Sequence, residues 1–150
     1  MTLSQLCLAI LIAAIGVQQR VGSAMPEEIS YKLLDPHGVH YGDESHVSYS
    51  VSVDVFMDRP QIEHLICQVL RDQRPASYSR LSIKIYYKLD RWIPSSFLFE
   101  REEFEHGVAE YRWYVNLPDT RDRLVIWRDA QGKRIKLPEV FDFDHTKACK

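Results

Sequence analysis

From His46 to Met57 the chain reads as a strand. Val47, Tyr49, Val51, Val53 and Val55 occupy one row, and Ser48, Ser50, Ser52 and Asp54 the other. A period of two with β-branched residues on one row predicts one buried and one wet face. The period then changes. Ile62, Leu65, Ile66, Val69 and Leu70 recur at helical spacing, and at 100° per residue they fall within about 140° of the circumference. Asp58 is placed as N-cap, with Pro60 in the first turn and Gln61 three residues after the cap, the pattern of a capping box. Pro75 disfavours helical geometry at the residue before it, so the helix is expected to stop near Asp72 to Arg74.

Alternation resumes from Arg80 to Leu89, where Leu81, Ile83, Ile85, Tyr87 and Leu89 oppose Ser82, Lys84, Tyr86 and Lys88. It returns after Gly107, with Ala109, Tyr111, Trp113, Val115 and Leu117 against Val108, Glu110, Arg112, Tyr114 and Asn116. Pro118 to Asp122 reads as a turn, Arg123 to Trp127 as a strand, and Asp129-Ala130-Gln131-Gly132 as a hairpin turn into Lys133 to Leu137. Ahead of the central strand, Tyr31 to Leu34 is a weak strand and Asp35-Pro36-His37-Gly38 has turn chemistry. Val39 to Tyr41 is then expected to return antiparallel. Asp90 to Phe104 has no clear period and is expected to form either a flap over an edge of the core or a short helix after Ser95 or Ser96. The end, Pro138 to Lys150, is polar and expected to be loosely held unless a bridge pins it.

Every strong strand keeps a wet row, so the helix covers one side of the sheet only. That predicts an α+β fold of two layers: a mostly antiparallel β-sheet with one main amphipathic helix packed on one face. At 150 residues the chain suits one ordinary domain.

The first two dozen residues differ in kind. Leu6 to Val17 is apolar throughout, too short for a membrane-spanning helix, which needs roughly 20 residues, and suited to the core of a secretory signal. Gly22 and Ala24 supply small residues before Met25, although no Lys or Arg precedes the apolar run. Residues 1–24 are therefore read as a signal peptide and 25–150 as the single mature domain, secreted or periplasmic, with no stable membrane span after processing. Removal of the leader takes Arg20 and Cys7, leaving 18 basic against 21 acidic residues, a net of −3, and the pair Cys67 and Cys149. Two cysteines in an exported chain invite a disulfide. On helical geometry Cys67 projects about 130° from the centre of the apolar stripe, which leaves it off the core.

Charge and motifs exclude more than they assign. A near-neutral chain with no basic run is not expected to bind nucleic acid. Metalloprotease, nucleophile-elbow, paired-thiol and glycine-rich phosphate motifs are all absent from the sequence, and no cofactor is expected. His37, His40 and His46 stand close together with Asp35, Asp43 and Glu44 between them; these are zinc-compatible ligand types in no standard zinc spacing. Glu102 and His106 are four apart and would face together on a helix, without a nucleophile or oxyanion hole beside them. Asp142, Asp144 and His145 lack a calcium loop. Catalytic residues are therefore not assigned.

What remains is surface. Lys84, Tyr86, Arg112 and Tyr114 lie on outward rows, and Trp92, Phe97 and Phe99 fall in the irregular segment. Tyr and Trp bury large area while keeping a polar handle, as interface anchors do. The sequence points to a non-catalytic exported binding or accessory domain that meets a protein or carbohydrate partner through an open sheet face and an aromatic loop. The alternative is a metal-assisted hydrolase built on His37, His40 and His46.

Overall fold

The structure, a computed structural model, describes residues 27–41, 44–91, 104–115 and 123–150. The leader, Trp92, Phe97, Phe99, Glu102 and the 118–122 turn lie outside the described residues. The elements in chain order are β1 (Tyr31–Tyr41), β2 (Glu44–Val53), α1 (Arg59–Gln73), β3 (Arg80–Tyr87), β4 (Gly107–Tyr114), β5 (Arg123–Arg128), β6 (Arg134–Asp142) and the single-turn α2 (His145–Ala148). The strands form one six-stranded sheet in sequential order. β2 and β3 are parallel, joined by α1, and every other neighbouring pair is antiparallel. The fold is the expected two-layer α+β arrangement with a mixed, mostly antiparallel sheet.

Local chemistry fixes α1 where the sequence puts it. Asp58 Oδ1 accepts from the Gln61 amide at 3.0 Å, and Gln61 Oε1 accepts from the Asp58 amide at 2.9 Å, so two orphan donors are satisfied reciprocally. The helix ends on Arg74, held in the left-handed region at φ 44° with its amide bonded to the Leu70 carbonyl. Pro75 explains this cap, because it excludes right-handed helical geometry from the residue before it.

The apolar stripe then meets the apolar rows. Ile62, Leu65, Ile66 and Val69 are fully buried with Val51, Val53, Ile83, Ile85, Tyr111 and Leu124. Each such aliphatic side chain contributes roughly 1.5–3 kcal/mol on burial. Gln68 is also buried, and its amide exchanges two hydrogen bonds with the backbone of Ile29, at 2.9 and 3.0 Å. That side chain acts as one rung of a ladder and ties the lead-in to the helix.

Two expectations are corrected. The Asp35-Pro36-His37-Gly38 turn does not form: β1 runs unbroken from Tyr31 to Tyr41 against β2, with a register shift between Leu33 and Asp35. β1 is an edge strand, where a proline lacking an N–H costs no ladder bond on its open side, and the shift absorbs the misfit. The central strand stops at Val53, short of Met57, and Val55 is 54% exposed instead of sharing the buried row.

The chain end is held, as expected for a tail pinned by a bridge. β6 continues through Pro138 to Asp142, α2 follows, and Cys149 is bonded to Cys67 with Cα atoms 5.1 Å apart. The tail is pinned by the bridge and by burial of Phe143 and His145. The hairpin between β5 and β6 forms as read, with Asp129 Oδ1 accepting from the amides of Gln131 and Lys133. Arg128 braces it, donating to the carbonyls of Gly132, Phe104, Glu105 and Gly107.

Candidate functional site

The pairing register assigns the rows of the sheet to its two sides. Val51 stands beside Ile85 and Ile85 opposite Ala109, all packed with α1; the alternate positions form the other side. There Ser50 lies beside Lys84, Lys84 opposite Glu110, Ser82 opposite Arg112, Arg80 opposite Tyr114, and Arg112 opposite Arg123. Antiparallel partners share a face, so the register alone brings Lys84, Tyr86, Arg112 and Tyr114 onto one surface.

Their exposure is unequal. Arg112 is exposed, Lys84 and Tyr114 are half-buried, and Tyr86 is only 3% exposed. Ser52, Ser82 and Glu110 on the same rows are buried as well. Alternation reports which side of the strand a residue occupies, not what lies above it. Part of the reason is visible where β3 ends: Lys88 adopts φ 50° and bonds to the Val53 carbonyl, and the buried Leu89 donates its amide to Ser52 Oγ at 2.9 Å. The chain thus turns over this face. Tyr86 is withdrawn from any contact surface, which the wet row had led us to expect it to join.

Glu110 and Arg112 form an ion pair on this face. Arg112 Nε and Nη2 donate to the two oxygens of Glu110 at 2.8 and 2.7 Å, a bidentate pair. The Glu110 side chain is 5% exposed and that of Arg112 is 55% exposed. A carboxylate buried without a partner is costly, so it holds the guanidinium in one orientation at the surface. The Arg80 guanidinium lies 5.8 Å from the Tyr114 ring centroid, within cation–π range.

The three histidines fall on β1 and β2. His37 pairs with Ser48, His40 with Ser45, and Val39 with His46. The side chains of His37 and His40 lie outside the described residues. His46 is half-buried, and burial together with the Arg80 charge pushes its pKa below the ordinary value. Among the described residues, no group of three or more His, Cys, Asp or Glu side chains is placed to hold a metal ion. His106 bonds through Nδ1 to the Tyr87 carbonyl at 3.0 Å.

A second polar cluster centres on His145, which the sequence marked only within the Asp142-Asp144-His145 group. His145, 8% exposed, sits between two tyrosine hydroxyls: Tyr78 Oη is 2.9 Å from Nε2, and Tyr111 Oη is 2.8 Å from Nδ1. Trp113 and Tyr111 meet its ring edge-on at 5.2 and 5.8 Å. Burial lowers the His145 pKa, partly offset by the adjacent Asp144 carboxylate. Asp144 itself is drawn down to about 2 by bonds from the Thr146 hydroxyl and Lys147, as the N-cap of α2. Tyr78 is shifted upward, chiefly by burial. The three residues come from a loop, a strand and the chain end. No local spacing announces them.

No protein-family model matches the chain, and neither a curated protein nor a solved structure is significantly similar to it.

Proposed function

We propose that this protein is an exported, non-catalytic binding domain that engages a protein partner through the sheet face opposite α1. The observation that carries the reading is the buried Glu110 orienting the exposed Arg112. A guanidinium held by a bidentate carboxylate loses little side-chain entropy on meeting a second acceptor, which is how preorganised contacts gain affinity. On the same face, Arg80, Lys84 and Arg123 join Arg112. Basic side chains on this face suit a partner presenting carboxylates. Tyr114 beside Arg80 supplies an aromatic anchor at the rim of the patch. Among the described residues no helix is long and apolar enough to cross a membrane. Export rests on the sequence of residues 1–24, and a mature N-terminus at Met25 in secreted material, read by mass spectrometry, is the expected result.

The binding test uses Tyr114→Ala and the double variant Glu110→Gln/Arg112→Ala, which removes the guanidinium without orphaning a buried carboxylate. Pull-downs from the envelope or extracellular fraction should recover a partner with the unaltered chain and lose it with either variant, in a salt-sensitive manner. Equal recovery by both variants would remove this face from the reading.

A further inference from the structure

The chain leaves the two parallel strands in opposite directions. Past Val53 it leads into α1 on one face of the sheet. Past Tyr87 it passes over the other face, with the Lys88 amide bonded to the Val53 carbonyl at 2.9 Å and the buried Leu89 donating to Ser52 Oγ. Where connections from neighbouring parallel strands part to opposite faces, a crevice opens at the carboxyl ends of the strands, and small ligands bind in such crevices. Here the crevice is a cleft of about 410 Å³. Ser52 and Asp54 line it from the end of β2, Lys88, Leu89 and Asp90 from the end of β3, and Lys32 from β1.

The polar groups of this cleft carry both signs. Lys32 Nζ donates to the Asp90 carbonyl at 3.0 Å, and Lys88 Nζ stands 5.1 Å from the centre of the Tyr87 ring. Among the described residues, neither the Asp54 nor the Asp90 carboxylate is engaged by a hydrogen bond or an ion pair. Ser52, 7% exposed, accepts from Leu89 and so keeps its hydroxyl hydrogen to donate. Lys88 is held at φ 50°, a conformation that residues other than glycine rarely adopt. An anion alone in the cleft would meet Asp54 and Asp90, and a cation alone would meet Lys32 and Lys88. A ligand with one charge of each sign satisfies both pairs. We propose that the cleft binds a small zwitterion, an amino acid or a dipeptide, with its carboxylate on Lys32, Lys88 and the Ser52 hydroxyl and its ammonium on Asp54 and Asp90. This site is separate from the Arg112 surface and does not depend on it.

The isotope-labelled, disulfide-bonded chain is titrated with glycine and with glycylglycine and read by amide chemical shifts in solution NMR. Acetate and methylammonium, each carrying one end of the ligand, serve as controls at matched ionic strength. The expected result is saturable binding with Kd of about 1 mM or tighter, with the shifts centred on Ser52, Asp54, Lys88 and Leu89. Each control should bind at least about tenfold more weakly than the better zwitterion, because it satisfies one pair of charges and faces the other. Tighter binding of glycine assigns the cleft to free amino acids and tighter binding of glycylglycine to peptides; either supports the proposal. Asp54→Asn and Lys88→Asn alter exposed side chains, and asparagine tolerates the backbone angle at position 88. Each should weaken binding about threefold or more. Shifts that do not saturate, shifts centred elsewhere, or an acetate or methylammonium affinity equal to that of the better zwitterion overturn the proposal. So do two variants that both bind as the unaltered chain does. The selectivity is measured on the unaltered chain, so it decides the matter even where a variant folds poorly.

Discussion

Replacing Tyr111 by phenylalanine removes one oxygen and keeps the ring. The ring is fully buried, packed edge-on against Phe143 at 5.3 Å, and this packing survives the change. What is lost is the partner of His145 Nδ1 at 2.8 Å, and with it the acceptor of the His145 amide at 3.4 Å. The second bond is too long to count for much. The first leaves a nitrogen of an 8%-exposed side chain without a partner, at a cost of about 2 kcal/mol. Tyr78→Phe removes the opposite bond, but Tyr78 is half-buried and lines an open cleft, so water can replace its hydroxyl. Its cost is about 0.5–1 kcal/mol. Urea unfolding with the disulfide intact measures both, as a fall in midpoint at constant slope; by heat, Tyr111→Phe should lower Tm by about 4–8 °C. A Tyr111→Phe protein within about 0.5 kcal/mol of the parent, or one more stable than Tyr78→Phe, would refute the reasoning.

Other outcomes follow from the same contacts. His145 and His46 both have folded pKa values lowered by burial, so the unfolded chain binds more protons below about pH 6.5, the unfolded value. Stability should be at its full value above that pH and fall as pH drops toward the folded values; urea midpoints from pH 7.5 to 5 check this, and His145→Gln should reduce the slope. Gly132 sits at φ 79°, and a Cβ there would collide with the Phe56 ring, so Gly132→Ala should cost more than about 1 kcal/mol by the same assay. Asp58→Ala removes the capping box and should cost about 1 kcal/mol, with Asp58→Ser recovering most of it.

Much of this molecule was legible residue by residue. Ile62, Leu65, Ile66 and Val69 on one helical stripe, and Val51, Val53, Ile83 and Ile85 on strand rows, lead directly to the two layers found. Periodicity is a local property of the backbone, and burying an apolar stripe needs an apolar row to meet it. Cap and turn chemistry at Asp58 and Asp129 is equally local and was read correctly. The β1 error has the same origin in reverse. Asp-Pro-His-Gly favours a turn in isolation, and only pairing with β2 makes the extended form better, because it satisfies the backbone groups of a long strand.

The candidate sites divide in a similar way. Sequence alternation determined which residues share the face opposite α1, so Arg112 and Tyr114 could be named in advance. Tertiary structure decided how much of each is exposed, burying Tyr86 and Glu110 in rows that alternation marks as wet. The Cys67–Cys149 pair, named from the sequence, forms across 82 residues, whereas the meeting of Tyr78, Tyr111 and His145 was decided by tertiary structure alone. Side-chain direction along an element is set by the nearest few residues. Which distant groups lie above it depends on how the elements close on one another, and that is a property of the whole chain.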